Sequence, residues 1–139
     1  MISIEELGAY GRGLVASDAP EVQLRTAAGR MYYAAFHRCR AASEVHCNEL
    51  PKEDSDNKGS HQKVYARLER HCRNTAISDR RLRLICQRAR DMLELRVRAD
   101  YHINDTFDYK AAREMQSLLF QLNREFAEVD REIQMGAAC

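Results

Sequence analysis

The sequence contains no tryptophan, only two prolines and only six glycines in 139 residues. A chain so poor in turn formers has the profile of neither a disordered segment nor an all-β domain. No apolar run approaches the roughly 18 residues that a membrane span requires, so no membrane association is expected. The opening segment MISIEELGAY is acidic and lacks the basic-then-apolar layout of a secretory signal, which leaves a cytoplasmic location by default. Lysine is scarce as well: arginine supplies 18 of the 22 basic residues. The five cysteines, Cys39, Cys47, Cys72, Cys86 and Cys139, are odd in number and form no CxxC. They suit a reducing compartment better than a disulfide framework. His46-Cys47 and His71-Cys72 have the ligand types of a zinc site, but neighbours on a helix diverge by about 100°, so neither pair chelates easily outside a loop. No metal and no cofactor is expected.

What remains is 45% hydrophobic and 31% charged, the composition of a helical protein, with enough length for one domain over 1–139. Net charge is only +1, yet residues 61–98 hold eleven Lys/Arg against four Asp/Glu, a local +7, while 1–60 come to −2 and 99–139 to −4. Arginine is the side chain for planar, bidentate contact with phosphate and for stacking on bases. Charge runs are usually solvated faces. A +7 segment this rich in arginine also points to a polyanionic ligand, RNA first.

Residues 2–16 read as a short helix with Ile4, Leu7, Gly11 and Leu14 in a stripe. Gly11-Arg12-Gly13 imitates a dinucleotide-binding fingerprint, but no strand precedes it. Ser17 or Asp18 is a suitable N-cap for a second helix, with Pro20 in its first position and Glu21 favouring its N-terminus. That helix runs to about residue 46, with Leu24, Ala28, Met31, Ala35, Cys39 and Ala42 as a small-residue stripe. Arg30, Tyr33 and His37 share another face at spacings of three and four. Tyr33 has a plain reading as a core aromatic and His37 as a hydrogen-bonded interior histidine; together they could equally line a cavity. Residues 47–60 form a mobile loop. Ser60 then caps a helix bearing His61, Val64, Tyr65 and Leu68 on one side, which puts His61 in a first turn that favours anions.

Ser78 or Asp79 caps the next helix, where Leu82, Ile85, Cys86, Ala89, Met92 and Leu93 fall on one arc. The same wheel carries Arg96 and Asp100 into the middle of that arc. Buried charges are costly unless paired, so the two are either a structural ion pair or a polar site, with Tyr101 and His102 beside it. Residues 103–108 make a tight connection and Asp108 caps the last helix. Met115, Leu118, Leu119, Leu122, Phe126, Val129 and Ile133 repeat there at spacings of three and four, as core or dimer seam. Residues 136–139 read as a frayed tail. Nothing reads as a strand. The fold class is all-α, an antiparallel four-helix-type bundle with an additional short helix.

Three segments together resemble the HEPN superfamily (higher eukaryotes and prokaryotes nucleotide-binding domain), in particular its small stand-alone prokaryotic branch. They are Gly29-Arg30-Met31-Tyr32-Tyr33-Ala34-Ala35-Phe36-His37, Gly59-Ser60-His61 and Leu95-Arg96-Val97-Arg98-Ala99-Asp100-Tyr101, and the resemblance covers roughly residues 20–130. It implies a four-helix-type bundle paired as a homodimer, with the polar motifs meeting across the interface. Many such proteins are metal-independent endoribonucleases, often toxins encoded with a nucleotidyltransferase antitoxin. The superfamily's nuclease signature is an Arg, four to six residues, then a His, which Arg96 and His102 satisfy. In the branch this chain most resembles, Asp-Tyr ends the motif and a histidine is not generally required. Tyr101 precedes His102, whereas the adenylylated toxins carry His-x-Tyr, so that modification is not implied. A regular helix would turn His102 about 160° from Asp100. The helix must unwind near Tyr101, or a second subunit must supply the partner.

For such a ribonuclease, Arg96 would clamp the phosphate, Asp100 orient Arg96, Tyr101 act as a secondary donor and His102 serve as acid or base. His37 or His61 is the fallback. Arg30, Tyr33, His37, His61 and Arg98 would bind substrate, and the Arg80–Arg98 stripe would track the RNA backbone. Two other readings compete. One is a non-catalytic module that binds a nucleotide or a nucleotidyltransferase partner; the other is a purely structural dimer.

Overall fold

The helix over Glu21–His46 is the one on which the others are laid. The computed structural model describes residues 1–137, in which the chain forms α1 (Ile4–Gly13), α2 (Glu21–His46), α3 (Lys52–Ser55), α4 (Ser60–Arg70), α5 (Asp79–Tyr101) and α6 (Tyr109–Ala137). Helix α2 packs on α1, α4, α5 and α6, and α5 on α4 and α6. Among the described residues there is no strand, only an isolated antiparallel bridge between Cys47 and Cys72. No helix among them is long and apolar enough to cross a membrane. The protein is an all-helical bundle.

The apolar stripes explain the packing. On α2, Leu24, Ala28, Met31, Ala35 and Cys39 are buried, and α6 buries Met115, Leu118, Leu119, Leu122, Phe126 and Val129. Each of the larger of these side chains contributes about 1.5–3 kcal/mol by leaving water. Close approach is built in at one point: a Cβ on Gly11 would lie 2.9 Å from Met31 Cγ and 3.1 Å from the Ala27 carbonyl oxygen, so α1 lies directly on the α2 backbone. Cys39 and Cys86 behave as small hydrophobes, both fully buried, with burial holding the Cys39 thiol up at about 12.

The caps depart from the sequence reading in two places. Pro20, not Ser17 or Asp18, is the N-cap of α2, and Gly59, not Ser60, that of α4; neither makes a side-chain cap bond. Pro20 has the extended conformation an N-cap needs, and its carbonyl accepts from the N–H groups of Gln23 and Leu24, which displaces the cap two residues from the preferred side chains. Ser78 and Asp108 do cap, accepting from Arg81 N–H at 3.1 Å and Ala111 N–H at 3.0 Å. The first helix has a capping box that the pattern of glycines obscured, Ser3 with Glu6. Within 47–60 lies the single turn of α3. Gly136 and Ala137 belong to α6; the rest of the expected tail, Ala138 and Cys139, lies outside the described residues.

The end of α5 is set by a residue from far away. Arg25, on α2, donates to the carbonyl oxygens of Arg98 (3.1 Å), Ala99 (2.9 Å), His102 (3.3 Å) and Asp105. These acceptors include carbonyls that a helix terminus leaves without partners, and a cation there also complements the helix dipole. Glu21 pairs with Arg25 and accepts the Phe107 N–H, and the Phe107 ring is buried as a plug. The chain therefore leaves the helix after Tyr101.

Candidate functional site

The last turn of α5, the middle of α2 and the first turn of α4 meet around Arg96. The core face of α5 continues through Leu95 and Ala99, both buried, so Arg96 and Asp100 occupy the edge of the apolar arc rather than its middle. The Arg96 side chain is 15% exposed and Asp100 35%, with Nε 2.8 Å from the Asp100 carboxylate. That ε N–H is not aimed along the contact, so the pair is an ion contact rather than a well-formed hydrogen bond. Arg96 Nη2 donates to the Tyr33 hydroxyl at 3.0 Å. Its guanidinium carbon lies 5.3 Å from the Tyr33 ring centre and 5.4 Å from that of Tyr101, and Arg30 lies 5.6 Å from the Tyr33 ring. Two guanidinium groups thus share one aromatic ring. Burial works against the Arg96 charge, but Tyr33, Asp100 and Tyr101 outweigh it and hold the group more firmly protonated than usual.

His61 enters from α4. Its ring stacks on Phe36 at 4.2 Å and on Tyr32 at 5.4 Å, and meets Tyr33 edge-on at 6.3 Å. His37 packs against Tyr33 and Phe36 at 6.2 and 5.5 Å. Burial, then the charges of Arg96 and His37, lower the pKa of His61 below the usual imidazole range, so it is neutral at physiological pH.

A buried hydroxyl chain decides where its proton sits. The Tyr32 hydroxyl is 2.6 Å from His61 Nδ1 and 2.7 Å from the Tyr65 hydroxyl, and both tyrosines are fully buried. Among the described residues the Tyr65 hydroxyl has no other protein partner. Both O–H groups find acceptors only if Tyr65 donates to Tyr32 and Tyr32 donates to Nδ1; the reverse order strands the Tyr65 proton in the core, at about 1–3 kcal/mol. Neutral His61 therefore carries its proton on Nε2 and acts as an N–H donor.

Of the residues singled out from sequence, Arg30, Tyr33, His37, His61, Arg96, Asp100 and Tyr101 come together. His102 and Arg98 do not. His102 lies beyond the helix end, half-exposed, with Nδ1 3.7 Å from Asp105. Arg98 lies 5.8 Å from the Phe107 ring and lines a cleft with Asp91, Glu94 and Glu114, surroundings unsuited to phosphate. The arginine stripe is broken too. Arg81 binds Glu125 and Glu132, both at 2.7 Å, and Arg90 binds Glu69. His46 and His71 turn away from the cysteines beside them, to Asn74 and Asp54, and among the described residues no three His, Cys, Asp or Glu side chains are grouped to hold a metal.

Sequence reasoning gave no site role to Tyr32 and Phe36, carried only within the segment 29–37, to Tyr65, placed only on one side of its helix, or to Arg25. A buried tyrosine hydroxyl needs a partner, which is the signal that Tyr32 and Tyr65 carried. Comparison of the chain with family models, with curated proteins and with solved structures found no match.

Proposed function

We propose that the chain is a HEPN-type RNA-binding protein whose phosphate site is centred on Arg96, and that it acts as a metal-independent endoribonuclease of the toxin–antitoxin or defence kind. The observation that carries this reading is the Arg96 guanidinium held between the Tyr33 and Tyr101 rings, with Arg30 and two histidines around it. Nη1 of Arg96 has no protein partner among the described residues, which leaves donors for a phosphoryl oxygen. Tyr101 is 65% exposed and offers a face on which a base can stack.

Cleavage of RNA without a metal needs a base for the 2′-OH, stabilisation of the phosphorane and an acid for the leaving 5′-oxygen. In this reading Arg96 stabilises the phosphorane, the Nε2–H of His61 donates to a phosphoryl oxygen and His37 exchanges the proton. His102, the residue first suited to that role by its spacing, is left outside. The bundle is of the antiparallel four-helix type and works as a homodimer in the cytoplasm, with a nucleotidyltransferase antitoxin as its partner.

One observation favours a second reading, a non-catalytic module for a nucleotide or a nucleotidyltransferase. The lone pair of His61 is occupied by Tyr32, which suits binding better than proton transfer.

The test is cleavage of a mixed RNA pool in EDTA by wild type, Arg96→Ala, His37→Ala and His102→Ala, with RNA affinity measured alongside. The proposal expects loss of cleavage in the first two variants and none in His102→Ala. Arg96→Ala should also weaken binding about tenfold and reduce the salt slope by about one. Binding without cleavage by folded wild type selects the module, and absence of both sinks the phosphate site.

A further inference from the structure

Cys47 follows α2 and Cys72 follows α4, and the two are directly opposed in the antiparallel bridge. The flanking hydrogen bonds give the register: Asn48 N–H donates to the His71 carbonyl at 2.9 Å, and Arg73 N–H to the His46 carbonyl at 2.9 Å. Bonds on the residues before and after, and none between the cysteines themselves, mark a non-hydrogen-bonded pair. In such a pair the Cα atoms are about 4.5 Å apart and the side chains project to the same face. That separation falls at the short end of the roughly 4.4–6.8 Å that a disulfide spans. The two thiols are unbonded in the structure, and the Cys47 thiol is held up at about 11 by burial first and by the Cys72 sulfur next.

Access differs among the cysteines. Cys39 and Cys86 are wholly buried, and Cys47 is 2% exposed. Cys72 is half-buried and lines an open cleft of about 320 Å³ with Asn74, Thr75, Ile77, Ser78 and Asp79. A small reagent reaches Cys72, and Cys47 is then the nearest nucleophile.

We propose that Cys47 and Cys72 are a modification site, a thiol pair that closes to a disulfide on the folded backbone by exchange with a low-molecular-weight disulfide of the glutathione type. The Cys72 thiolate attacks one sulfur of the reagent, whose S–S bond breaks, and the first small thiolate leaves and takes up a proton. The Cys47 thiolate then attacks the Cys72 sulfur of the mixed disulfide and expels the second small thiol. Two protein thiols are oxidised, one small disulfide is reduced to two thiols, and the two protons lost by the cysteines end on the leaving groups. The bond ties the end of α2 to the end of α4 and closes a loop containing α3 and α4.

The experiment uses the full chain, as wild type and with Cys139→Ser to remove the terminal thiol. The folded protein is incubated with oxidised glutathione at mildly alkaline pH, alkylated and digested with trypsin. The expected product joins the peptide 41–52 to the peptide 71–73, and two of the four thiols left by Cys139→Ser disappear. The melting temperature of the oxidised protein should rise by about 5 °C or more and fall back with reductant. Cys47→Ser should stop at a glutathione adduct on Cys72. A stable adduct on Cys72 of the wild type with no joined peptide overturns the proposal. So does a link from Cys72 to any other cysteine, or a joined peptide with a lowered melting temperature. The wild-type and Cys139→Ser digests decide the linkage, whatever the folding of Cys47→Ser.

Discussion

The Tyr32 hydroxyl lies 2.6 Å from Nδ1 of His61 and 2.7 Å from the Tyr65 hydroxyl. Through it, a tyrosine in the core governs which nitrogen of a half-buried histidine bears the proton. The site residue and the core residue are parts of one hydrogen-bonded chain, so a change to either is felt by the other.

Tyr32→Phe should release His61. With no donor on Nδ1 the bias toward the Nε2–H form disappears, while burial, Arg96 and His37 go on holding the protonation midpoint below the ordinary value. Nitrogen chemical shifts of His61 across a pH series read both effects, and an unchanged tautomer would refute the chain. In the wild type the folded pKa of His61 lies below its unfolded value, near 6.5. The unfolded chain therefore binds a proton that the folded chain refuses, and stability falls as pH drops below about 6.5 until folded His61 itself protonates. Denaturation of wild type and His61→Phe across that range should show the slope in the first and its reduction in the second.

Loss of Tyr32 alone also leaves the Tyr65 hydroxyl buried without an acceptor. Tyr32→Phe should destabilise by about 1–3 kcal/mol, and adding Tyr65→Phe should recover most of that, because removing both partners leaves no orphan. Urea denaturation of the two single variants and the double variant gives the coupling. Simple additivity would argue that the hydroxyls do not interact.

Arg25→Ala should cost about 2–3 kcal/mol, since it strips several carbonyls at the end of α5 of their donor. Hydrogen exchange should speed up at residues 99–107 more than elsewhere. Arg25→Lys, with a point charge in place of the fork, should recover only part of the loss. Uniform loosening of the whole bundle would mean that Arg25 has no local role.

Two glycines of the same helix should respond oppositely to alanine. At Gly11 the added Cβ meets Met31 Cγ at 2.9 Å and Met31 N at 3.0 Å, and backbone cannot yield cheaply; at Gly13 nothing lies within 4 Å. Gly11→Ala should destabilise by about 1–3 kcal/mol, while Gly13→Ala should gain up to about 1 kcal/mol from helix propensity. Thermal melts of the two variants check the contrast.

The 3.6-residue period made α6, most of α2 and the apolar arc of α5 readable before any coordinates, because those features depend only on neighbours three and four residues away. Arg30, Tyr33 and His37 were grouped by the same rule. The parts that escaped depend on distant partners. Nothing near Arg25 announces that it will bind carbonyls 73 to 80 positions later, and without that cap the place where α5 stops, and so the exclusion of His102, is not determined. Tyr32 and Tyr65 received no role because a helical pattern reports which face a side chain takes but not which hydroxyl finds which acceptor. Cys47 and Cys72 were each weighed as a metal ligand with the histidine before it, whereas their relationship is to one another, across a bridge between two segments.

Arg25 leaves the ribosome long before the carbonyls it serves, the last of which belongs to Asp105. Until Asp105 has been made, the clasp on the final turn of α5 lacks its last acceptor. A product ended by a premature stop codon just after Tyr101 would keep the Arg98 and Ala99 carbonyls but lose those of His102 and Asp105, and with them part of the clasp. The clasp on α5 is therefore completed only from the far side of the helix end, after Asp105 has joined the chain.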